Sequence, residues 1–257
     1  MRYASRKYID LILTASSKWA SWDPPHPIKA SRGLRDRDKE TGQFQKDGNI
    51  YEDAATAALA ADIRPETLAP DEHMVISSEA TQKREFSLGP HINVSGLVEA
   101  SIKGQWKFRS GKTGVLLLMA QPRSALLPVT AFLKHLVDLP VLKDKCLVTE
   151  TVSCHAYSMY LSTKSEDTIS LALLATTPLP MAPLVSAGGE VGVSWWSETG
   201  GGVFTPLFVL KRVRKQGFVP YRGAPAPEDE DELWVDAESP WAPLNEDGEE
   251  ELLTAKN

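Results

Sequence analysis

The stretch Ile92–Arg109, INVSGLVEASIKGQWKFR, alternates apolar and polar residues over eighteen positions. Its even positions are Ile92, Val94, Gly96, Val98, Ala100, Ile102, Gly104, Trp106 and Phe108; its odd positions are polar or charged except Leu97. A period of two is the signature of a β-strand with one apolar face. Fully extended, the run would span roughly 60 Å, and its glycines allow bends or bulges. Ser110-Gly111-Lys112-Thr113-Gly114 supplies a turn, after which Val115–Gln121 reads as the return strand. Two uses fit such a hairpin. One is an antiparallel sheet with its apolar face on helices and its polar face in water. The other is a membrane strand, which needs ~9–11 alternating residues. A lone hairpin cannot cross a bilayer, because its edges would leave backbone groups unpaired in hydrocarbon. Insertion therefore implies a closed barrel built from many subunits.

Working outward, Arg2–Trp22 predicts an amphipathic helix. Tyr8, Leu11, Ile12, Ala15, Trp19 and Trp22 recur at helical spacing, leaving Arg2, Arg6, Lys7 and Lys18 for the other side. Asp23-Pro24-Pro25-His26-Pro27 ends it. Ser31–Asn49 reads as a solvated loop or a long polar hairpin, and Asp53–Ile63 as a short helix. Beyond the hairpin, Ser124–Leu139 has helical spacing, with Pro128 in its first turn. Leu147–Leu161 is strand-like, and Ile169–Ala175 is expected to pair with it across Lys164-Ser165-Glu166-Asp167. Thr177–Gly189 reads as a loop, Val191, Val193 and Trp195 share one face of a further strand, and Val203–Val213 is the last strand.

Charge divides the chain in two. Of 257 residues, 28 are Lys or Arg and 34 are Asp or Glu, a formal net charge of −6. Residues 224–257 hold twelve of those acids and one base, Lys256, so this tail carries −11 and residues 1–223 carry +5. The expected division is a body, 1–223, and an acidic flexible tail, 224–257, in which Leu233, Trp234 and Trp241 are available to dock. The tail would then shield the body's bases at rest. Those bases form two clusters: Arg2, Arg6, Lys7 and Lys18 on the first helix, and Lys211, Arg212, Arg214, Lys215 and Arg222 around the last strand. Each is either a solvated or edge-protecting charge run or a surface for anionic headgroups, which gains roughly 1 kcal/mol per base at an anionic membrane. No recognition helix, zinc finger or ribonucleoprotein signature accompanies them, which favours membrane over nucleic acid. An acidic protein partner is the competing use of the same bases.

Enzyme signatures are weak. Arg109-Ser110-Gly111-Lys112-Thr113 resembles part of a phosphate loop, but six residues separate Gly104 from Gly111 where that loop needs four. The histidines at 26, 73, 91, 135 and 155 lack metal-ligand spacing. Cys154 and His155 are adjacent on an expected strand and so point to opposite faces. Cys146 and Cys154 lie eight apart on that strand, roughly 26 Å, too far for a disulfide. The reading is of a non-enzyme without cofactor or metal. Asp10 interrupts the apolar stretch after the N-terminal bases, so no signal peptide is expected. Val115–Ala120, the longest strongly apolar run, is far short of a transmembrane helix.

The order of elements resembles the pore-forming domain of gasdermins: a basic N-terminal helix, a long amphipathic hairpin, a helix, a second hairpin and a final basic strand. Leu136–Lys145 leading into Leu147-Val148-Thr149-Glu150 is similar to the family's helix-to-strand passage. Phe208-Val209-Leu210-Lys211-Arg212-Val213 is similar to its closing strand. Length and tail resemble the short fungal members, regulators of cell death in self/non-self recognition. The resemblance implies an α+β fold with a twisted, mainly antiparallel sheet and flanking helices that refolds into a membrane β-barrel on oligomerisation. It implies binding to acidic phospholipids through Arg2, Arg6, Lys7, Lys18, Lys211, Arg212, Arg214 and Lys215. Residues 80–122 and 146–197 would carry two inserting hairpins, with Ile92, Val94, Val98, Ile102, Trp106, Phe108, Trp195 and Trp196 among the membrane-facing residues. The implied partners are an acidic membrane, copies of the same chain and a divergent allelic version of it. The implied location is cytoplasmic at rest and plasma membrane when active. The 257 residues hold no counterpart of the family's inhibitory carboxy-terminal domain, so activation without proteolysis is the expectation.

Overall fold

Strands carry this molecule. The computed structural model describes residues 4–22, 28, 33–37, 44–46, 48–54, 56–61, 63–88, 102–128, 139, 142, 145–162, 168–173, 184–185, 203–213, 234–239 and 241–242. In chain order the elements are α1 (Ala4–Ser16), β1 (Trp19–Ala20), β2 (Gly33–Arg37), β3 (Phe44–Lys46), α2 (Ala57–Ala60), β4 (Glu66–Thr67), β5 (His73–Ser77), β6 (Thr81–Leu88), β7 (Ile102–Phe108) and β8 (Val115–Ala120). They continue with β9 (Arg123–Leu126), β10 (Cys146–Cys154), β11 (Ala156–Leu161), β12 (Thr168–Leu173), β13 (Leu184–Val185), β14 (Phe204–Val213) and β15 (Trp234–Asp236).

Three antiparallel sheets result. The large eight-stranded sheet runs β1-β14-β10-β2-β3, with β15 beside β14, β9 on β10 and β4 on β9. A middle sheet runs β11-β8-β5 and an outer sheet runs β13-β12-β7-β6. The expected antiparallel, sheet-rich architecture with few helices is therefore present. Among the described residues no helix is long and apolar enough to cross a bilayer.

The core is organised around β8. Its sequence, VLLLMA, is buried on both faces. Val115, Leu117 and Met119 join the main cluster, with Tyr8, Ile9 and Ile12 of α1 and Val148, Val152, Leu207, Phe208 and Leu210 of the large sheet. Leu116, Leu118 and Ala120 face the other way and pack with Trp106, Phe108, Tyr160 and Ile169. A continuous apolar run is what a strand covered on both sides requires, whereas β7 alternates because only one face is covered.

Several expectations need correction. The first helix stops at Ser16. Ser17 is left-handed (φ 57) and its N–H donates to the Leu13 carbonyl at 2.8 Å, an αL helix ending. Trp19 and Ala20 then pair with Phe208 and Leu207. The apolar periodicity carries past the helix because the strand faces the same core. Residues 31–49 contain the β2–β3 hairpin, the second of the two readings open for them. The helix expected at Asp53–Ile63 is confined to Ala57–Ala60. Ser124–Leu139 begins as strand β9, bonded to β10, and its residues 129–138 lie outside the described ones. Leu147–Leu161 is two strands in two sheets, broken at His155. β12 exists but pairs with β7 and β13 rather than β11.

The largest correction concerns the decisive stretch itself. The turn at Ser110–Gly114 is present, with Gly111 at φ 78. However, β7 and β8 on its two sides do not pair. β7 pairs with β6, before it, from Thr81↔Phe108 to Leu88↔Ile102, and β8 pairs with β5 and β11. The turn is an elbow between sheets, not a hairpin tip. The loop of Thr177–Gly189 and the strand through Val191, Val193 and Trp195 fall outside the described residues except for Leu184–Val185, which form β13.

Candidate functional site

The described bases of the two clusters sit on or beside α1 and β14, and Arg6, Lys211 and Arg212 among them meet the C-terminal segment. β14 is bonded to β10 along one edge. Its other edge is covered by the two ends of the chain. On the N-terminal side, β1 pairs with Leu207 and Phe208, and the Ser21 N–H donates to the Pro206 carbonyl at 2.8 Å. On the C-terminal side, β15 sets Asp236 opposite Lys211, Val235 opposite Arg212 and Trp234 opposite Val213. The Ala237 N–H continues this pairing to the Leu210 carbonyl at 2.9 Å. Arg212 Nη2 donates to Glu238 Oε2 at 3.0 Å, an exposed ion pair of little energetic weight.

From there the segment reaches α1. The Arg6 guanidinium lies over the Trp241 ring, 5.1 Å from its centroid, and Arg6 Nη2 donates to the Ala242 carbonyl at 3.3 Å. Trp241 Nε1 donates to both carboxylate oxygens of Asp10, at 2.9 and 3.1 Å. Trp241 thus covers a cation with its face and hydrogen-bonds a carboxylate with its edge. Trp234 is equally committed, packed with Ile50, Ala60, Leu127, Leu142 and Leu147 in a third apolar cluster. Residues 234–239 and 241–242 therefore form a strap bound to the body; the rest of the expected tail, 224–257, lies outside the described residues.

Site by site, the expected lipid-contacting residues divide. Arg6 is 1% exposed and Lys7 is 6% exposed, so in this state neither faces solvent as helical spacing suggested. The reason is that α1 is covered from two sides, by the sheets and by the strap. Lys18 is half-buried and donates from Nζ to Glu150 Oε1 at 2.7 Å. Lys211 and Arg212 lie beneath the strap's acids. Arg2, Arg214 and Lys215 fall outside the described residues. Sequence reasoning flagged Trp234 and Trp241 but missed Asp10, Glu150 and Glu238 as partners. Their only local signal is opposite charge, which does not specify which base each one meets.

The expected membrane-facing residues form a second group. Trp106 and Phe108 are 1% and 0% exposed, turned inward onto β8 and β11. Phe108 and Tyr160 stack with centroids 4.9 Å apart. A Cβ on Gly104 would collide with the Trp106 ring, so this glycine lets the indole fold back along its own strand. Ile102 opens β7 opposite Leu88 and Leu173. Ile92, Val94, Val98, Trp195 and Trp196 fall outside the described residues. Gln82, Lys83 and Arg84 of β6 are exposed, and Gln82 stands opposite Lys107 on the open face.

Burial pushes the Cys154 thiol up to about 12, the reverse of what an activated nucleophile needs. Burial, reinforced by Tyr157, also holds the Tyr8 phenol well above its ordinary range. Both cysteines are free thiols. Among the described residues no three His, Cys, Asp or Glu side chains converge to hold a metal.

No protein-family model matches this chain, and no curated protein is similar to it. The site therefore rests on its own geometry: a strapped basic edge on one side, and an alternating strand folded inward on the other.

Proposed function

We propose that this protein is a pore-forming effector of cell death of the gasdermin type. At an acidic membrane it oligomerises and inserts amphipathic hairpins as a β-barrel, without cleavage as the trigger. One observation carries the reading. Apart from the two-residue β13 at its edge, the outer sheet is made from the same three chain runs as the middle sheet, 73–88, 102–120 and 156–173, neighbouring one another in the same order: β11-β8-β5 and β12-β7-β6. A ribbon folded back on itself has this form. The alternating run Ile92–Arg109, which ends in β7, exceeds the ~9–11 residues of a membrane strand, and β6 and β7 keep one polar face for a barrel lumen.

The strap supports a latent state. Two of its acids, Asp236 and Glu238, lie beside Lys211 and Arg212, bases that would meet anionic headgroups. Dye-loaded vesicles of acidic and of neutral phospholipid provide the test. Release from acidic vesicles only, with rings visible by negative stain, is the expected result. If neither the protein alone nor a mixture with a divergent allele releases dye, the proposal fails.

A second reading has its own support in the acid-on-base contact of Arg212 with Glu238 and of Lys211 opposite Asp236. It holds that the basic edge takes an acidic protein segment in place of the strap. That reading expects no vesicle flotation and a salt-sensitive one-to-one complex.

A further inference from the structure

The line where the outer sheet leaves the middle sheet is built from hydroxyls. At the β11–β12 junction, the Gly114 N–H donates to Ser162 Oγ at 2.8 Å, while the Ser162 N–H donates to the Gly114 carbonyl at 2.8 Å. At the β5–β6 junction, the Val115 N–H donates to Ser78 Oγ at 3.0 Å and the Ser78 N–H donates to the Val115 carbonyl at 3.1 Å. The Thr81 hydroxyl also donates to the Val115 carbonyl, at 3.0 Å, and lies 3.3 Å from Ser78 Oγ. With the Thr81 proton so used, the Ser78 proton goes to Thr81 Oγ1. The bonds then close a ring: Val115 N–H to Ser78, Ser78 to Thr81, and Thr81 to the Val115 carbonyl.

This chemistry departs from a sheet ladder in one respect. The donors at Gly114 and Val115 are backbone groups of the central run, but their acceptors are side chains. In a straight antiparallel ladder the same donors would meet neighbouring carbonyls. Each buried N–H thus has a partner in the folded-back form and a different one in the straight form. Neither form leaves an orphan, which is the requirement for a hinge with two stable positions. Sterics complete the device. A Cβ on Gly114 would stand 2.6 Å from Phe108 Cδ1 and 2.9 Å from Thr81 Oγ1, so the outer sheet closes only over a glycine.

We infer that Ser78, Thr81, Gly114 and Ser162 form a latch about which the outer sheet pivots away from β8, uncovering Trp106 and Phe108. The inference deepens the pore reading and rests on it for its use. The latch itself can be tested without a membrane. Hydrogen exchange of the full chain in solution should show the Gly114 amide exchanging at least ~5-fold faster in Ser162→Ala, and the Val115 amide likewise in Ser78→Ala, as expected when a buried donor loses its acceptor. Thr81→Val, which keeps the shape and removes the hydroxyl, should act on Val115 in the same direction. The amides of Val148 and Leu210, in the large sheet, should be unchanged. Unaltered exchange at Gly114 and Val115, or a rise matched at Val148 and Leu210, would overturn the latch. In the dye-release assay the same variants should leak faster by a similar factor. A wild type that never leaks refutes the pore reading while exchange still decides the latch. A leaking wild type with loosened variants that leak no faster refutes the latch's part in insertion.

Discussion

β7 and β8 follow one another in the chain, have nearly equal length and share one apolar cluster, yet they are committed to opposite extents. β8 is apolar at every position and buried on both faces, with one side under α1 and the large sheet and the other under β7 and β12. β7 presents Trp106 and Phe108 inward, while Gln105 and Lys107 lie half-buried on its second face. A strand with two apolar faces cannot line a water-filled lumen; a strand with one can. The border between what stays in the body and what is able to leave therefore falls at the elbow, residues 109–114, inside what reads in sequence as one hairpin. The fold places the apolar face of β7 against β8; under the pore proposal this would hide the surface that a membrane requires.

The comparison breaks most severely at β8. Leu117→Asp buries an unpaired charge at a fully enclosed position and should cost about 5 kcal/mol or more, preventing folding in a urea titration followed by circular dichroism. The same carboxylate in Gln105→Asp on β7 should cost under ~1 kcal/mol. Equal losses at the two sites would erase the distinction. Next in size is Trp106→Ala, which leaves a cavity above Gly104 and should lower stability by ~3–5 kcal/mol while removing the residue expected to anchor the inserted strand. A variant that folds normally and still releases dye at the wild-type rate would show that β7's inner face serves neither role.

Cys154 reports on the side of the core that β8 closes from the other direction. Its thiol ionises at about 12 when folded, against an ordinary value of 9.0 when the chain is unfolded. Between those values the folded state holds a proton that the unfolded state has released. Its contribution to stability is thus complete below pH 9 and falls as pH rises, by of order 2 kcal/mol at pH 11. The raised Tyr8 phenol adds a loss of the same sign at still higher pH. A melting series from pH 8 to 11 should fall more steeply for the wild type than for Cys154→Val; parallel curves would mean that this thiol is not enclosed. The smallest structural effect belongs to Lys107→Glu on β7's open face. Its unfolding midpoint should stay within ~0.5 kcal/mol of wild type, while dye release from acidic vesicles should drop. Unchanged release would show that charge on this face plays no part.

The strands that were legible in the sequence are those whose pattern has a single local cause. The alternation of β7, the apolar run of β8 and the basic closing strand β14 all show their burial in their residue order. β6 fell within the 80–122 hairpin that the resemblance implied, but its own residues, Thr81–Leu88, are mostly polar and gave no strand pattern; it forms its strand along β7's edge. The helix over-reading at Trp19 and Trp22 has a related cause. Apolar spacing records that both tryptophans face the core, but not whether a helix or a strand brings them there. The buried state of Arg6 was illegible for a stronger reason, since the strap that covers it comes from residues more than two hundred positions away.

By itself the sequence determined the chemistry of each element: one alternating strand, one wholly apolar strand, two basic clusters and an acidic end holding two tryptophans. Those properties follow from residue type and period, which are local. Only the tertiary structure decided the pairings. It put β6 rather than β8 beside β7, and it brought residues 234–242 of the C-terminal segment against Arg6, Lys211 and Arg212. It also lined the bend between two sheets with Ser78, Thr81 and Ser162. Such choices depend on which distant surfaces can be buried together with every backbone donor still satisfied, and no short window of sequence contains that information.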